Sequence, residues 1–169
     1  NYNQNKRLEI NYRGSTNQPG INQIQPIPDN TNTQSVVLGN PNLKPSFQNN
    51  LRFNFRNFDF ANFRSFFAYV NLTQTFNSFA SDQGLVTDPT DVNYGKVATT
   101  FVNVDGNYSV NGGVNVGQPL TKGNKLSMSL GANMNYNRET NFTNNNENVN
   151  DRYGIMGTFK LVSNLDKLD

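Results

Sequence analysis

At 169 residues, 19.0 kDa and a formal net charge of +2, the chain has the length of one ordinary domain but not its composition. Only 34% of residues are hydrophobic and 12% are aromatic, which excludes a thick interior core yet does not match a highly charged disordered chain. Cys and His are both absent, which excludes disulfides, thiolate chemistry, His-based metal sites and the usual nucleophilic triads.

Basic residues are scattered, so nucleic acid is not an expected partner. No signal peptide opens the chain, and no run of about 18 apolar residues marks a membrane helix. It begins "NYNQNKRLEI" and stops at "VSNLDKLD", so residues 1–169 are expected to be part of a longer chain.

Period two dominates from the start. In "RLEINYR", Leu8, Ile10 and Tyr12 alternate with Arg7, Glu9, Asn11 and Arg13, which predicts a strand with one apolar and one polar face. A polar segment from about Ser15 to Lys44 carries four of the seven prolines and reads as a functional loop, since ordinary connections are shorter. "FQNNLRFNFRNF" alternates again, with Phe47, Leu51, Phe53 and Phe55 against Gln48, Asn50, Arg52, Asn54 and Arg56. After a short link near Asp59–Asn62, "FFAYVNLTQTF" sets Phe66, Ala68, Val70 and Leu72 against Tyr69, Asn71, Thr73 and Thr75. "SDQGLVTDPTDVNYG" is expected to be a loop.

From Val102 to Val116 nearly every even position is apolar or Gly, while Asn103, Asp105, Asn107 and their successors fill the odd ones. Read as one strand, this run spans about 50 Å at roughly 3.3 Å per residue. "QPLTKGNK" is a compact turn. "LSMSLGANMNYN" then sets Leu126, Met128, Leu130, Ala132, Met134 and Tyr136 against polar partners that include Asn133 and Asn135. "NFTNNNENVNDR" is expected to be a loop, and the last run places Tyr153, Ile155, Gly157, Phe159 and Leu161 on one face.

About six strands result, joined alternately by long loops and tight turns. In an antiparallel meander alternate links share an end, so one end carries the long loops and the other the tight turns. That asymmetry, with an apolar aromatic face and an Asn-, Ser-, Thr- and Arg-rich face, predicts an all-β, up-and-down transmembrane barrel with lipid outside and water inside. A soluble β-sandwich or a secreted β-solenoid adhesin is the alternative. The predicted lumen-facing residues are Arg52, Asn54, Arg56, Tyr69, Asn71, Thr73, Asn103, Asp105, Asn133 and Asn135. Arg52, Arg56 and Tyr69 are candidates to meet an anionic solute or a plug, against the plainer reading that they hydrate the wall. Asp82, Asp88 and Asp91 share a loop without a calcium-loop spacing, so a solvated loop is expected there. No cofactor, metal or enzymatic activity is expected.

The stretch from Thr16 to Pro45 resembles the C-terminal barrel of the TonB-dependent receptor-like outer-membrane proteins of Bacteroidota. The resemblance rests on Pro19, on Gln23-Ile24-Gln25-Pro26, on Asp29-Asn30-Thr31-Asn32 and on Gly39-Asn40-Pro41-Asn42-Leu43-Lys44-Pro45. "TTFVNVDGNYSV" and Gln118-Pro119-Leu120 extend it. It implies a barrel of about 22 strands, of which about six lie here, plugged by an N-terminal domain of the same protein. It also implies outer-membrane lipids as surroundings, extracellular long loops, an inner-membrane energy-transducing protein and a surface lipoprotein as partners. The implied function is uptake of a nutrient too large for porins, such as a glycan, peptide or metal chelate. A non-transporting structural or assembly barrel of the same fold is the second reading. In the Gly39–Pro45 motif, Pro41 and Pro45 withhold ladder donors and mark where pairing begins, Gly39 and Asn40 tolerate the bend, and Val36-Val37-Leu38 packs the loop down.

Overall fold

The computed structural model describes residues 5–29, 31–121, 123 and 125–163. Asn30 of the polar loop, Lys122 and Asn124 of the compact turn, and both chain ends lie outside the described residues.

Six long strands run as an antiparallel meander through one sheet. They are β1 (Lys6–Asn17), β3 (Ser46–Asp59), β4 (Arg64–Phe76), β7 (Asn107–Pro119), β8 (Leu126–Thr143) and β9 (Asn146–Ser163). Three short strands, β2 (Ser35–Val37), β5 (Ser78–Leu85) and β6 (Val97–Val104), form a layer beyond one end of the meander. Each of β1 and β9 pairs on one side only, so the described sheet is open.

Strand pairing converts the sequence alternation into continuous rows. Tyr12, Leu51, Leu72, Val110, Tyr136 and Tyr153 stand side by side across all six strands. The next rows run Ile10, Phe53, Val70, Gly112, Met134, Ile155 and then Leu8, Phe55, Ala68, Val114, Ala132, Gly157. This face remains open to its surroundings: Leu8 is 62% exposed and Ile155 85%. Among the described residues the buried hydrophobic side chains are Val36, Leu43 and Ala80, and all three belong to the outer layer or the loop that meets it. The meander thus has no interior core, and its apolar face needs an apolar solvent.

The height of that face fits a membrane. From Leu126 to Tyr136 on β8, ten steps at about 3.4 Å give about 34 Å along the strand. At the usual barrel tilt of roughly 40° that is about 25 Å, the apolar band of an outer-membrane barrel. Aromatic residues mark both borders. Tyr12, Tyr108, Tyr136 and Tyr153 lie toward the outer layer, and Phe58, Phe60 and Phe63 surround the tight turn at the other end. Charge resumes just past the tyrosine border, where Tyr136 donates to the Asp151 carboxylate at 2.6 Å and Arg138 approaches it at 3.8 Å.

Three expectations need correction. The Asn-rich stretch after Asn137 is not a loop: β8 runs on to Thr143 and returns through Asn144 and Asn145, at φ 51° and 60°. Asn accepts that left-handed conformation, which the tightest hairpin turn requires at both central positions. The predicted loop that begins at Ser81 is a strand as far as Leu85, so the loop proper is residues 86–96, between β5 and β6. The Val102–Val116 run is not one straight strand: it breaks at Asp105 and Gly106. The loop asymmetry survives in altered form, since one end carries projecting hairpins and the other tight turns.

The break is a corner in a single hairpin. Thr75 pairs with Asn107 below it and Ser78 with Val104 above it, so no residue is gained or lost across it. Asn77 (φ 48°) and Gly106 (φ 87°) turn the two chains there. Below the corner β7 neighbours β8; above it β5 does, through Asp82–Phe142 and Gln83–Thr143. The hairpin therefore turns over about its own axis, presenting β6 to the loop between β1 and β3, where β2 pairs with it in parallel.

A Cβ at Gly106 would meet no atom within 4 Å, so a substitution there tests the backbone alone. Gly106→Val is expected to cost about 1–2 kcal/mol through the left-handed φ. The urea midpoint for loss of the heat-modifiable gel band measures it, and an unchanged midpoint would remove the corner's dependence on that conformation.

Candidate functional site: the polar wall and the Gly39–Pro45 motif

The face opposite the apolar rows is a polar wall. Its central row is Asn11, Arg52, Asn71, Asn111, Asn135, Gly154, and the next is Glu9, Asn54, Tyr69, Gly113, Asn133, Met156. Rows through Thr73 and through Arg56 flank them. Eight of the ten predicted wall residues therefore share this face of the meander: Arg52, Asn54, Arg56, Tyr69, Asn71, Thr73, Asn133 and Asn135.

Side chains on the wall bond to one another across strands. Arg52 Nε donates to Asn71 Oδ1 at 2.9 Å, and Thr73 Oγ1 donates to Asn50 Oδ1 at 2.9 Å. The Tyr69 hydroxyl reaches over β7 to Asn133 Oδ1 at 3.2 Å. It can do so because Gly113 lies between them; a Cβ there would stand 2.7 Å from the Tyr69 ring and collide with Asn133 Oδ1. These amides and hydroxyls fix the wall's shape while leaving it wettable.

Asn103 and Asp105 stand elsewhere, at the corner. Asp105 Oδ1 accepts the Asn77 N–H at 2.8 Å. Asn103 Nδ2 donates to the Asn77 carbonyl at 2.9 Å and to the Lys44 carbonyl at 2.9 Å, while its Oδ1 accepts the Lys44 N–H at 2.7 Å. Both side chains satisfy main-chain groups that the bend removes from the ladder. Alternation alone could not separate them from the wall, because they keep its odd-numbered phase.

The Gly39–Pro45 motif docks on this same corner. Asn40 Nδ2 donates to the Phe101 carbonyl of β6 at 2.9 Å, Asn40 N–H to the Gln23 carbonyl at 2.6 Å, and Asn40 Oδ1 accepts the Asn42 N–H at 2.9 Å. Leu43 is buried, and Pro45 immediately precedes β3. Gln23–Pro26 is held beneath the motif by a single helical turn, Ile21–Ile24, a feature the polar composition of the loop did not announce. Gly39 crosses the Gln25 backbone so closely that a Cβ would overlap the Gln25 carbonyl oxygen and stand 2.6 Å from its nitrogen. Leu38 N–H donates to the Thr99 carbonyl, and Val36 is fully buried beside β6. Two sequence elements 16 residues apart are thus one clamp, fastened to a strand about 60 residues further on.

The three carboxylates predicted to share a loop brace main-chain groups, Asp88 and Asp91 within the loop and Asp82 from β5 to the β8–β9 turn. Asp88 accepts the Thr90 N–H and hydroxyl at 2.9 and 2.7 Å, and these bonds hold its carboxyl below the usual carboxylate range. Asp91 accepts the Asn93 N–H at 2.7 Å, and Asp82 accepts the Asn145 N–H at 3.2 Å.

An apolar band of membrane height, bordered by aromatics and backed by a polar wall, describes one kind of protein. Residues 1–167 match the family model described as "Outer membrane protein beta-barrel family". The chain belongs to that family. No curated protein and no solved structure matches this barrel chain. Its place is accordingly the outer membrane.

Gly39→Ala is expected to release the loop of this barrel protein without unfolding the meander. Limited proteolysis within residues 18–45 should accelerate about tenfold or more, as loss of roughly 1–3 kcal/mol of local packing implies. The heat-modifiable band should persist; equal proteolysis of wild type and variant would show that the clamp does not hold the loop.

Proposed function

We propose that this chain is wall and outer layer of a TonB-dependent receptor-like barrel of Bacteroidota type, which takes up a nutrient too large for porins. The observation that carries the reading is the clamp. The Gln23–Pro26 and Gly39–Pro45 elements, which resemble that family, pack on each other and on β6. Supporting it are a polar wall wide enough to span six strands and projecting hairpins at one end only. In this reading the wall faces a water-filled lumen and the hairpins are extracellular. A plug domain of the same protein fills the lumen, an inner-membrane energy transducer acts on the plug, and a surface lipoprotein covers the hairpins. Glycans, peptides and metal chelates remain the candidate cargo. A structural or assembly barrel without transport is the competing reading within the same fold.

Two measurements test this. The sequence contains no cysteine, so single cysteines report on their own positions. Asn135→Cys is expected to react with a membrane-impermeant thiol reagent in intact outer membranes, and Ile155→Cys to stay unreactive toward it, while a fluorophore attached to Ile155→Cys with a membrane-permeant reagent is quenched by brominated lipid. The reverse pattern would invert the wall. For transport, disrupting the energy transducer should reproduce the nutrient-uptake defect of deleting this protein. A deletion defect in surface assembly that is indifferent to the transducer would favour the structural barrel.

A further inference from the structure

Charge on the polar wall is not spread evenly. On β1 and β3 the wall positions include Arg7, Arg13, Arg52 and Arg56, and the one carboxylate among those of the two strands is Glu9. Arg7 and Arg56 are directly opposite each other in the register. Like charges at facing positions destabilise a sheet. Glu9 answers Arg7 at 3.3 Å. Among the described residues no carboxylate lies within ion-pair distance of Arg13 or Arg52. The neighbouring wall positions of β4 and β7 carry no charge, from Phe67 to Thr73 and from Ser109 to Asn115.

Arg13 and Arg52 line one cleft. It has a volume of about 510 Å³ and is bounded by Asn11, Arg13, Ser15, Gln48, Asn50 and Arg52. Its floor is braced. Asn50 Nδ2 donates to Gln48 Oε1 at 3.2 Å, and Thr73 fixes Asn50 from the next strand. The Arg52 guanidinium is oriented through Nε by Asn71, which leaves its terminal nitrogens for another acceptor. A planar guanidinium held in one orientation is suited to bidentate contact with a carboxylate, sulfate or phosphate group. Ser15 and the amides add neutral donors around it.

We propose that the β1–β3 stripe is an oxyanion-binding track on the lumen wall, with Arg13 and Arg52 as its principal subsite for a phosphate-, sulfate- or carboxylate-bearing solute. The proposal rests on the lumen reading above and deepens it by naming the charge of the solute. A neutral glycan can accept hydrogen bonds from these arginines but gains no charge attraction from them, and a cationic chelate is repelled. A wall with an excess of one sign also concentrates counter-charged solute along its length. Arg7 and Arg13 escape single-strand reading because their grouping with Arg52 and Arg56 depends on the β1–β3 register.

The test is calorimetric titration of the full-length protein in non-ionic detergent with pyrophosphate. The wild type is expected to bind it, and Arg13→Gln/Arg52→Gln to bind about tenfold or more weakly, as loss of charge-assisted hydrogen bonds implies. Lys96→Gln on the loop between β5 and β6 should leave binding unchanged, and added chloride should weaken it in wild type. Absence of binding in the wild type, or equal binding after both substitutions, overturns the proposal. If wild type binds no pyrophosphate but the double variant loses thermal stability, the arginines answer a protein carboxylate, and the proposal again falls. Impermeant labelling of Asn135→Cys in intact outer membranes separates the two readings. A labelled wall without anion binding removes only the track, whereas an unlabelled wall removes the lumen as well.

Discussion

Hydrocarbon offers a peptide group no hydrogen-bond partner, and this constraint governs the whole arrangement. Every strand that crosses the apolar band must give its N–H and C=O groups to a neighbour. The meander does this with unbroken registers across six strands, and breaks the ladder only beyond the tyrosine border, at Asn77, Asp105 and Gly106. Irregular backbone therefore occurs where water or side chains can replace the missing bonds. Asn103 and Asp105 supply such replacements. The same constraint applies to the free edges of β1 and β9, whose main-chain groups need further strands for residence in a bilayer.

Two solvents divide the molecule's packing. In the band, side chains such as Phe53, Met134 and Ile155 lie beside their row neighbours without closing a core, because lipid completes their surroundings. Beyond the band water returns, and burial must be internal. Val36, Leu43 and Ala80 are covered there by a small layer of loop and hairpin. The Gly39–Pro45 motif belongs to that second regime. Its prolines end the loop and its asparagine distributes four hydrogen bonds among the loop, the helical turn and β6.

The six crossings were legible because each must alternate apolar and polar side chains, a pattern that neither helix nor loop imitates over ten residues. The projecting parts of β8 and β9 were not legible for the complementary reason. Past Asn137 neither face meets lipid, so polar residues fill both, the buried Thr140 among them, and the alternation that identifies a strand disappears. The corner was hidden because Gly106 keeps the apolar phase while adopting a left-handed φ. Of the polar wall, the β3, β4 and β8 positions could be named from one strand at a time. The concentration of arginine on β1 and β3 could not, since it exists only once Asn11 stands beside Arg52.

The turned-over hairpin has a consequence for the order of assembly. Its contacts with the loop join Asn40 to Phe101 and Lys44 to Asn103, across separations of 61 and 59 residues, whereas the widest pair in the meander, Ser65 with Gly117, closes 52 and its tight turns close far fewer. Closing such long segments costs chain entropy that only a preformed framework reduces. The junction of β2 and the loop with β6 is therefore expected to form last and open first. Amide exchange should find its least protected ladder between β2 and β6, while the band beneath remains closed. A surface that opens separately from its anchor can change its contacts beyond the membrane without loosening the wall within it.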